Sequence, residues 1–227
     1  MKKKILFLLS ILILLSLTAC TNKDAKTFKK DYELLNGKTN INGKVHRTVS
    51  IPKKNPIIIS DAKEIVQKIE NNETFYVYFG SELCPWCRSV IEKAIEISNM
   101  NGINKVYYVD IWDNDGNEIL RDRYTLDANG NPVKETEGTL EYYKLLEYLN
   151  NVLDDYTYTK DDEKISFGEK RIYAPNFVYI AKGKAVRMTT GISDIQTDSR
   201  GELTKEILAD QSKMFDDFFI NICDESC

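Results

Sequence analysis

Between Phe75 and Ile95 the chain reads FYVYFGSELCPWCRSVIEKAI, with Cys84 and Cys87 enclosing Pro85 and Trp86. Two thiols at this spacing suit three chemistries: a structural disulfide, half of a zinc site, or a redox couple in which one sulfur attacks and the other resolves. The other cysteines narrow the choice. Cys20 follows an apolar leader, and Cys223 and Cys227 stand in the terminal NICDESC. Zinc sites usually pair two C-x-x-C knuckles, and C-x-x-x-C on the last residues is a poor second knuckle, so no metal is expected. The single histidine, His46, lies in a polar stretch and reads as a surface residue, which removes Cys-His and Ser-His catalysis.

The surrounding elements decide what the pair can do. Phe75 to Phe79 are all apolar or aromatic, the pattern of a strand buried on both faces of a sheet. Upstream, Asp61 and Glu64 form a capping box, and Ala62, Ile65, Val66 and Ile69 repeat at helical spacing. Downstream, Cys87, Val90, Ile91 and Ala94 give a second helical stripe that Gly102 is placed to stop. Cys84 therefore falls at a strand-to-helix junction, with Pro85 near the first helical position, where a missing N–H costs nothing. Unpaired N–H groups and the helix dipole favour a thiolate there. Cys84 is the expected attacking sulfur and Cys87, one turn on and facing inward, the resolving one. Pro85 and Trp86 add no charge, so a moderate couple is expected rather than a very strong oxidant.

A second region follows this pattern. IYAPNFVYIAKGKAVRMTTGI, residues 172–192, reads as a loop, a strand Phe177–Ala181, a turn at Lys182 to Lys184 and a strand Ala185–Thr189. Leu208, Gln211, Phe215, Phe218, Phe219 and Ile222 then share one face of a closing helix. The order of strand, CxxC helix, strand, proline loop, hairpin and helix resembles the thioredoxin superfamily, over roughly residues 60–112 and 165–222. The resemblance implies an α/β fold, a thioredoxin-like central mixed sheet flanked by helices, with an insertion between the CxxC half and the proline-hairpin half. It also implies that Pro175 is a cis-proline facing the cysteines, so that Ala174, Pro175, Pro85 and Trp86 shape the substrate surface. No bound cofactor is expected.

The sequence departs from that family. Thioredoxins proper carry a buried aspartate six residues before the first cysteine, where it aids proton transfer; here that residue is Tyr78. Pro-Trp is closer to the Pro-Tyr of glutaredoxins, yet no glutathione-binding residues stand out. Glu82 reads either as a modulator of protonation or as an exposed loop carboxylate, and the proton-transfer partner stays unassigned. YFGSELCPWCR is also similar to thioredoxin-like accessory proteins of bacteriocin systems.

The chain opens MKKKILFLLSILILLSLTAC, a basic start followed by an apolar run, Ile5 to Leu17, too short to cross a bilayer as a helix. Leu17-Thr18-Ala19-Cys20 resembles the lipobox of bacterial lipoproteins, which implies that residues 1–19 are a signal peptide and Cys20 carries lipid on the outer face of a cell membrane, where disulfides persist. Removing 1–19 leaves 208 residues, and losing Lys2, Lys3 and Lys4 takes the formal charge from −4 to about −7. Without a basic cluster, nucleic acid is not an expected partner. Residues 20–40 read as a polar tether and 41–227 as one domain, with the insertion at about 113–162.

Inside the insertion, Asp113, Asp115, Gly116 and Glu118 look like part of a calcium loop, but Ile111 stands where the first ligand belongs. Ile119–Leu126 and Val133–Glu137 are expected to pair, followed by a helix bearing Leu140, Tyr143, Leu146, Leu149 and Val152. Cys223 and Cys227 read as an auxiliary dithiol, with a terminal disulfide, exchange with Cys84 and Cys87, or a bond to a partner left open. The functional expectation is a lipid-anchored, extracytoplasmic thiol-disulfide oxidoreductase acting on protein thiols and disulfides. The alternative is a binding or accessory lipoprotein in which CPWC is a fixed disulfide.

Overall fold

A computed structural model describes residues 23–160 and 163–220. The described chain begins with α1 (Lys23–Leu34) and continues through β1 (Ile57–Ser60), α2 (Ala62–Glu70), β2 (Phe75–Gly80), α3 (Pro85–Met100) and β3 (Val106–Asp110). A middle segment of β4 (Arg123–Leu126), β5 (Pro132–Thr136), α4 (Leu140–Leu149), β6 (Asp155–Lys160) and β7 (Glu163–Lys170) precedes β8 (Asn176–Ala181), β9 (Lys184–Thr189) and α5 (Lys205–Phe219). The protein is α/β: a mixed five-stranded sheet in the order β1-β3-β2-β8-β9, plus two hairpins, β4-β5 and β6-β7. β3 runs parallel to β1 and β2, while β8 is antiparallel to β2 and β9.

The all-apolar run of β2 follows from its central position, because helices cover both faces of the sheet. On one face Tyr76 and Tyr78 meet Val90, Ile91 and Ala94 of α3, Phe215, Phe218 and Phe219 of α5, and Phe28 and Tyr32 of α1. On the other, Phe75, Val77 and Phe79 meet Ile65, Val66 and Ile69 of α2 and Tyr142, Leu145 and Leu149 of α4. The helices start where side chains satisfy their first N–H groups: Asp61 accepts from Glu64 N at 2.8 Å and Thr139 from Tyr142 N at 3.1 Å. Glu64 does not close the expected box; its carboxylate instead accepts from the Ser60 hydroxyl at 2.7 Å.

Five expectations need correction. The tether does not extend over residues 20–40, because Lys23–Leu34 is helical and buries Ala25, Phe28 and Tyr32 against the sheet. α4 faces inward through Tyr142, Leu145 and Leu149, and Leu140 of the expected stripe is 70% exposed. The β4-β5 pairing is shorter than expected at its first strand, and β7 lies beyond residue 162, the expected end of the insertion. On α5, Ile207 rather than Leu208 joins the buried face, and Ile222 lies outside the described residues.

Candidate redox site

Four residues, Ser81 to Cys84, separate β2 from α3, and Ser81 shapes them: its hydroxyl accepts from Leu83 N at 3.2 Å and its carbonyl from Cys84 N at 3.2 Å. This turn delivers Cys84 to the N-cap of α3 in extended conformation, with Pro85 opening the helix. Cys84 Sγ takes the place of a capping oxygen and accepts from Cys87 N–H at 3.3 Å. Both residues are free thiols.

The two sulfurs are electrostatically unlike. A hydrogen bond from the Cys87 side chain, opposed by burial and aided by the backbone N–H groups of Cys87 and Trp86 and by the Arg121 charge, lowers the Cys84 pKa. Burial, followed by the bond to Cys84, drives the Cys87 pKa well above the ordinary thiol value. A proton on Cys87 thus supports a thiolate on Cys84.

The opposite wall comes from the loop between β7 and β8. Phe79 pairs with Asn176, which places the Ala174-Pro175 peptide beside the junction; that peptide is cis, and the Ala174 carbonyl accepts from the Cys84 thiol at 3.4 Å. Trp86 and Ala174 pack against the cluster that contains both cysteines. Beside Pro85 opens a cavity of about 540 Å³ whose walls include Leu83, Trp112, His46 and the fully exposed Ile41. Arg121 is held close by by the Glu118 carboxylate and by the Ile172 carbonyl at 3.1 Å, and lies over the Trp112 ring.

Beneath Cys87 is a layer of hydroxyls and carboxyls. Tyr78 points its hydroxyl along β2 over Gly80, near enough to Cys87 to pull that thiol's pKa down against the effect of burial. Gly80, next on the same face of the strand, leaves the room it needs. Tyr78 and Tyr32 share a 2.8 Å hydrogen bond. Glu82 is half-buried and lines the same small cavity as Asp110, so the expected exposed carboxylate is not what the structure holds. Burial, then the neighbouring Asp110 charge, raises Glu82 to about 7.

Arg88, the residue after CPWC, is 1% exposed. It donates to Tyr32 O at 2.8 Å, Glu82 O at 3.2 Å and Asn36 Oδ1 at 2.7 Å, and also to Arg47 O. This clamps α1 and the following loop onto α3. His46 is buried rather than on the surface, and burial, then the Arg88 and Arg200 charges, lower its pKa.

Cys84, Pro85, Trp86, Cys87, Ala174 and Pro175 therefore converge on one end of β2. Cys20, Cys223 and Cys227 lie outside the described residues. Among the described residues no cluster of His, Cys, Asp or Glu is arranged to hold a metal ion. Tyr32, Arg88, Asp110 and Arg121 were not singled out from the sequence. Only Tyr32 carried a usable signal there, the spacing of Ala25, Phe28 and Tyr32 along one helical face. No protein-family model matches this chain, and no curated protein matches it.

Proposed function

We propose that this protein is a thiol-disulfide oxidoreductase of thioredoxin-like fold. The fold reading draws on the parallel β1-β3-β2 core, the CPWC pair at the β2-α3 junction and the cis-proline loop leading into β8. The observation that carries the function is the opposite displacement of two adjacent thiols, Cys84 downward at a helix N-terminus and Cys87 upward in the core.

The Cys84 thiolate attacks a client disulfide, forms a mixed disulfide and expels the first client sulfur. Cys87 then loses its proton and attacks Cys84 Sγ. The bond from Cys84 to the client breaks, the second client thiol leaves, and the enzyme holds an oxidised pair. Run backward, the same steps donate a disulfide to a client dithiol. Clients are protein thiols and disulfides, presented between Trp86 and the Ala174-Pro175 loop. The enzyme acts at the outer face of a cell membrane, anchored through lipid on Cys20.

A second reading, a binding or accessory lipoprotein with a fixed CPWC disulfide, draws on one observation: Cys84 is only 3% exposed. The reduction potential of the pair, measured with Cys20, Cys223 and Cys227 replaced by serine, separates the two. A reversible couple between about −120 and −270 mV supports exchange chemistry; a bond resisting reduction below about −300 mV makes CPWC a structural staple and sinks the enzyme reading.

A further inference from the structure

Exchange through Cys87 raises a problem that its surroundings define. Its thiol is fully buried and holds its proton tightly, yet it must lose that proton when it attacks the mixed disulfide. No carboxylate lies directly under it; the residue there is Tyr78.

Resting on the oxidoreductase reading, we propose that Tyr78 and Tyr32 form a hydroxyl relay that carries the Cys87 proton to the Glu82-Asp110 carboxyl pair. Tyr78 shares the buried cluster of the reacting sulfur and lowers its pKa, and its hydroxyl lies 2.8 Å from that of Tyr32. Tyr32 in turn lines a cavity of about 140 Å³ together with Glu82, Asp110 and Tyr108. That volume accommodates several waters against Glu82 and Asp110, with the Tyr32 side chain forming one of its walls. Tyr108 donates to Glu82 at 3.5 Å and flanks the route.

Neither tyrosine serves as the base that stores the proton. Burial raises both phenols well above their ordinary value, so they stay neutral and only pass a proton along, each accepting one on oxygen as it releases its own. The store is the carboxyl pair. Glu82 holds its proton against Asp110, and the groups facing the pair are Asp31 and Tyr32 of α1, Tyr108 of β3 and the Arg88 guanidinium of α3.

The balance of the step is simple. Cys87 S–H loses its proton to Tyr78 Oη, Tyr78 passes its own to Tyr32, and a proton reaches the ionised pair. The new bond joins Cys87 Sγ to Cys84 Sγ, and the bond between Cys84 Sγ and the leaving sulfur breaks. The dithiol is oxidised by two electrons and the client disulfide reduced by the same two. Tyr78 is the catalytic partner in this step; Tyr32, Glu82 and Asp110 act through it as positioning residues.

The test uses the full chain with Cys20, Cys223 and Cys227 replaced by serine, reduced and mixed with dithionitrobenzoate in a stopped-flow instrument. Attack by Cys84 releases one thionitrobenzoate; attack by Cys87 releases the second. In Tyr78→Phe the second release is expected to slow at least about tenfold, with the first unchanged. Tyr32→Phe is expected to slow it less. In the parent protein the second release should rise with pH through an inflection near that of Glu82, about 7, and Glu82→Gln should abolish that inflection. A second release unchanged in Tyr78→Phe, or an inflection retained in Glu82→Gln, overturns the relay while leaving the exchange reading standing. Absence of the second release in the parent protein overturns both.

Discussion

Gly80 has no side chain where the Tyr78 hydroxyl lies: a Cβ at Gly80 would fall inside that hydroxyl and its ring carbon. The two residues sit on the same face of β2, two positions apart, so the glycine is a matter of space rather than of backbone freedom.

Gly80→Ala should therefore displace the Tyr78 ring from its stacking on Phe177, centroids 4.3 Å apart, and from Cys87. A loss of about 1–3 kcal/mol is expected in urea unfolding, the scale of overpacking in a filled core. An unfolding midpoint equal to that of the parent protein would contradict this account of the glycine.

The leading cause of the low Cys84 pKa is the hydrogen bond from the Cys87 side chain. Cys87→Ala removes it and keeps the backbone N–H, so the Cys84 pKa should rise, whereas Cys87→Ser should hold it nearer the parent value. The rate of iodoacetamide alkylation against pH reads this directly. Equal profiles in the two variants would mean that the backbone and the helix dipole set the value alone.

Arg88→Met leaves three backbone carbonyls without their buried donor and takes one of two donors from the Asn36 amide oxygen, which keeps the Val49 N–H. Each such loss costs about 1–3 kcal/mol, so a total of at least about 3 kcal/mol is expected by denaturant titration. Because the clamp holds α1, hydrogen exchange should accelerate there before it does in β2. Uniform acceleration across both elements would argue against a local clamp.

Glu82 titrates at about 7 in the folded protein against an ordinary 4.5, held up by burial and then by Asp110. Between those values the folded state binds more protons than the unfolded chain, so this group makes stability fall as pH rises through that window. Glu82→Gln should remove that contribution: relative to the parent protein, the variant should be more stable at pH 8 than at pH 5. Thermal melts at the two pH values decide it, and a difference that does not change with pH would refute the assignment.

The centre of the protein was legible in the sequence because its signals are local. The run Phe75 to Phe79, the Cys-Pro junction and the Lys182-Gly183 turn each name their own structure within a few residues. α4 was placed correctly but turned wrongly, since Leu140, Tyr142, Tyr143, Leu145, Leu146, Tyr148 and Leu149 make it apolar on most sides and only the sheet decides which side is buried. β6 and β7 escaped notice because the alternation is short, only Tyr156 and Tyr158 in one strand and Ile165 and Phe167 in the other, among largely exposed and charged residues. The proposed proton pathway was illegible for another reason: Tyr32, the Tyr78–Glu82 stretch and Asp110 are far apart along the chain and meet only in the fold.

The helix at Lys23 also bears on where the protein works. Three peptide steps separate Cys20 from α1, about 10 Å of fully extended chain. Under the proposed anchoring, the folded body would ride against the lipid headgroups with almost no slack. Its clients would be met by lateral diffusion in a thin layer, so that their density per area of membrane, rather than their concentration in solution, would set the rate of encounter.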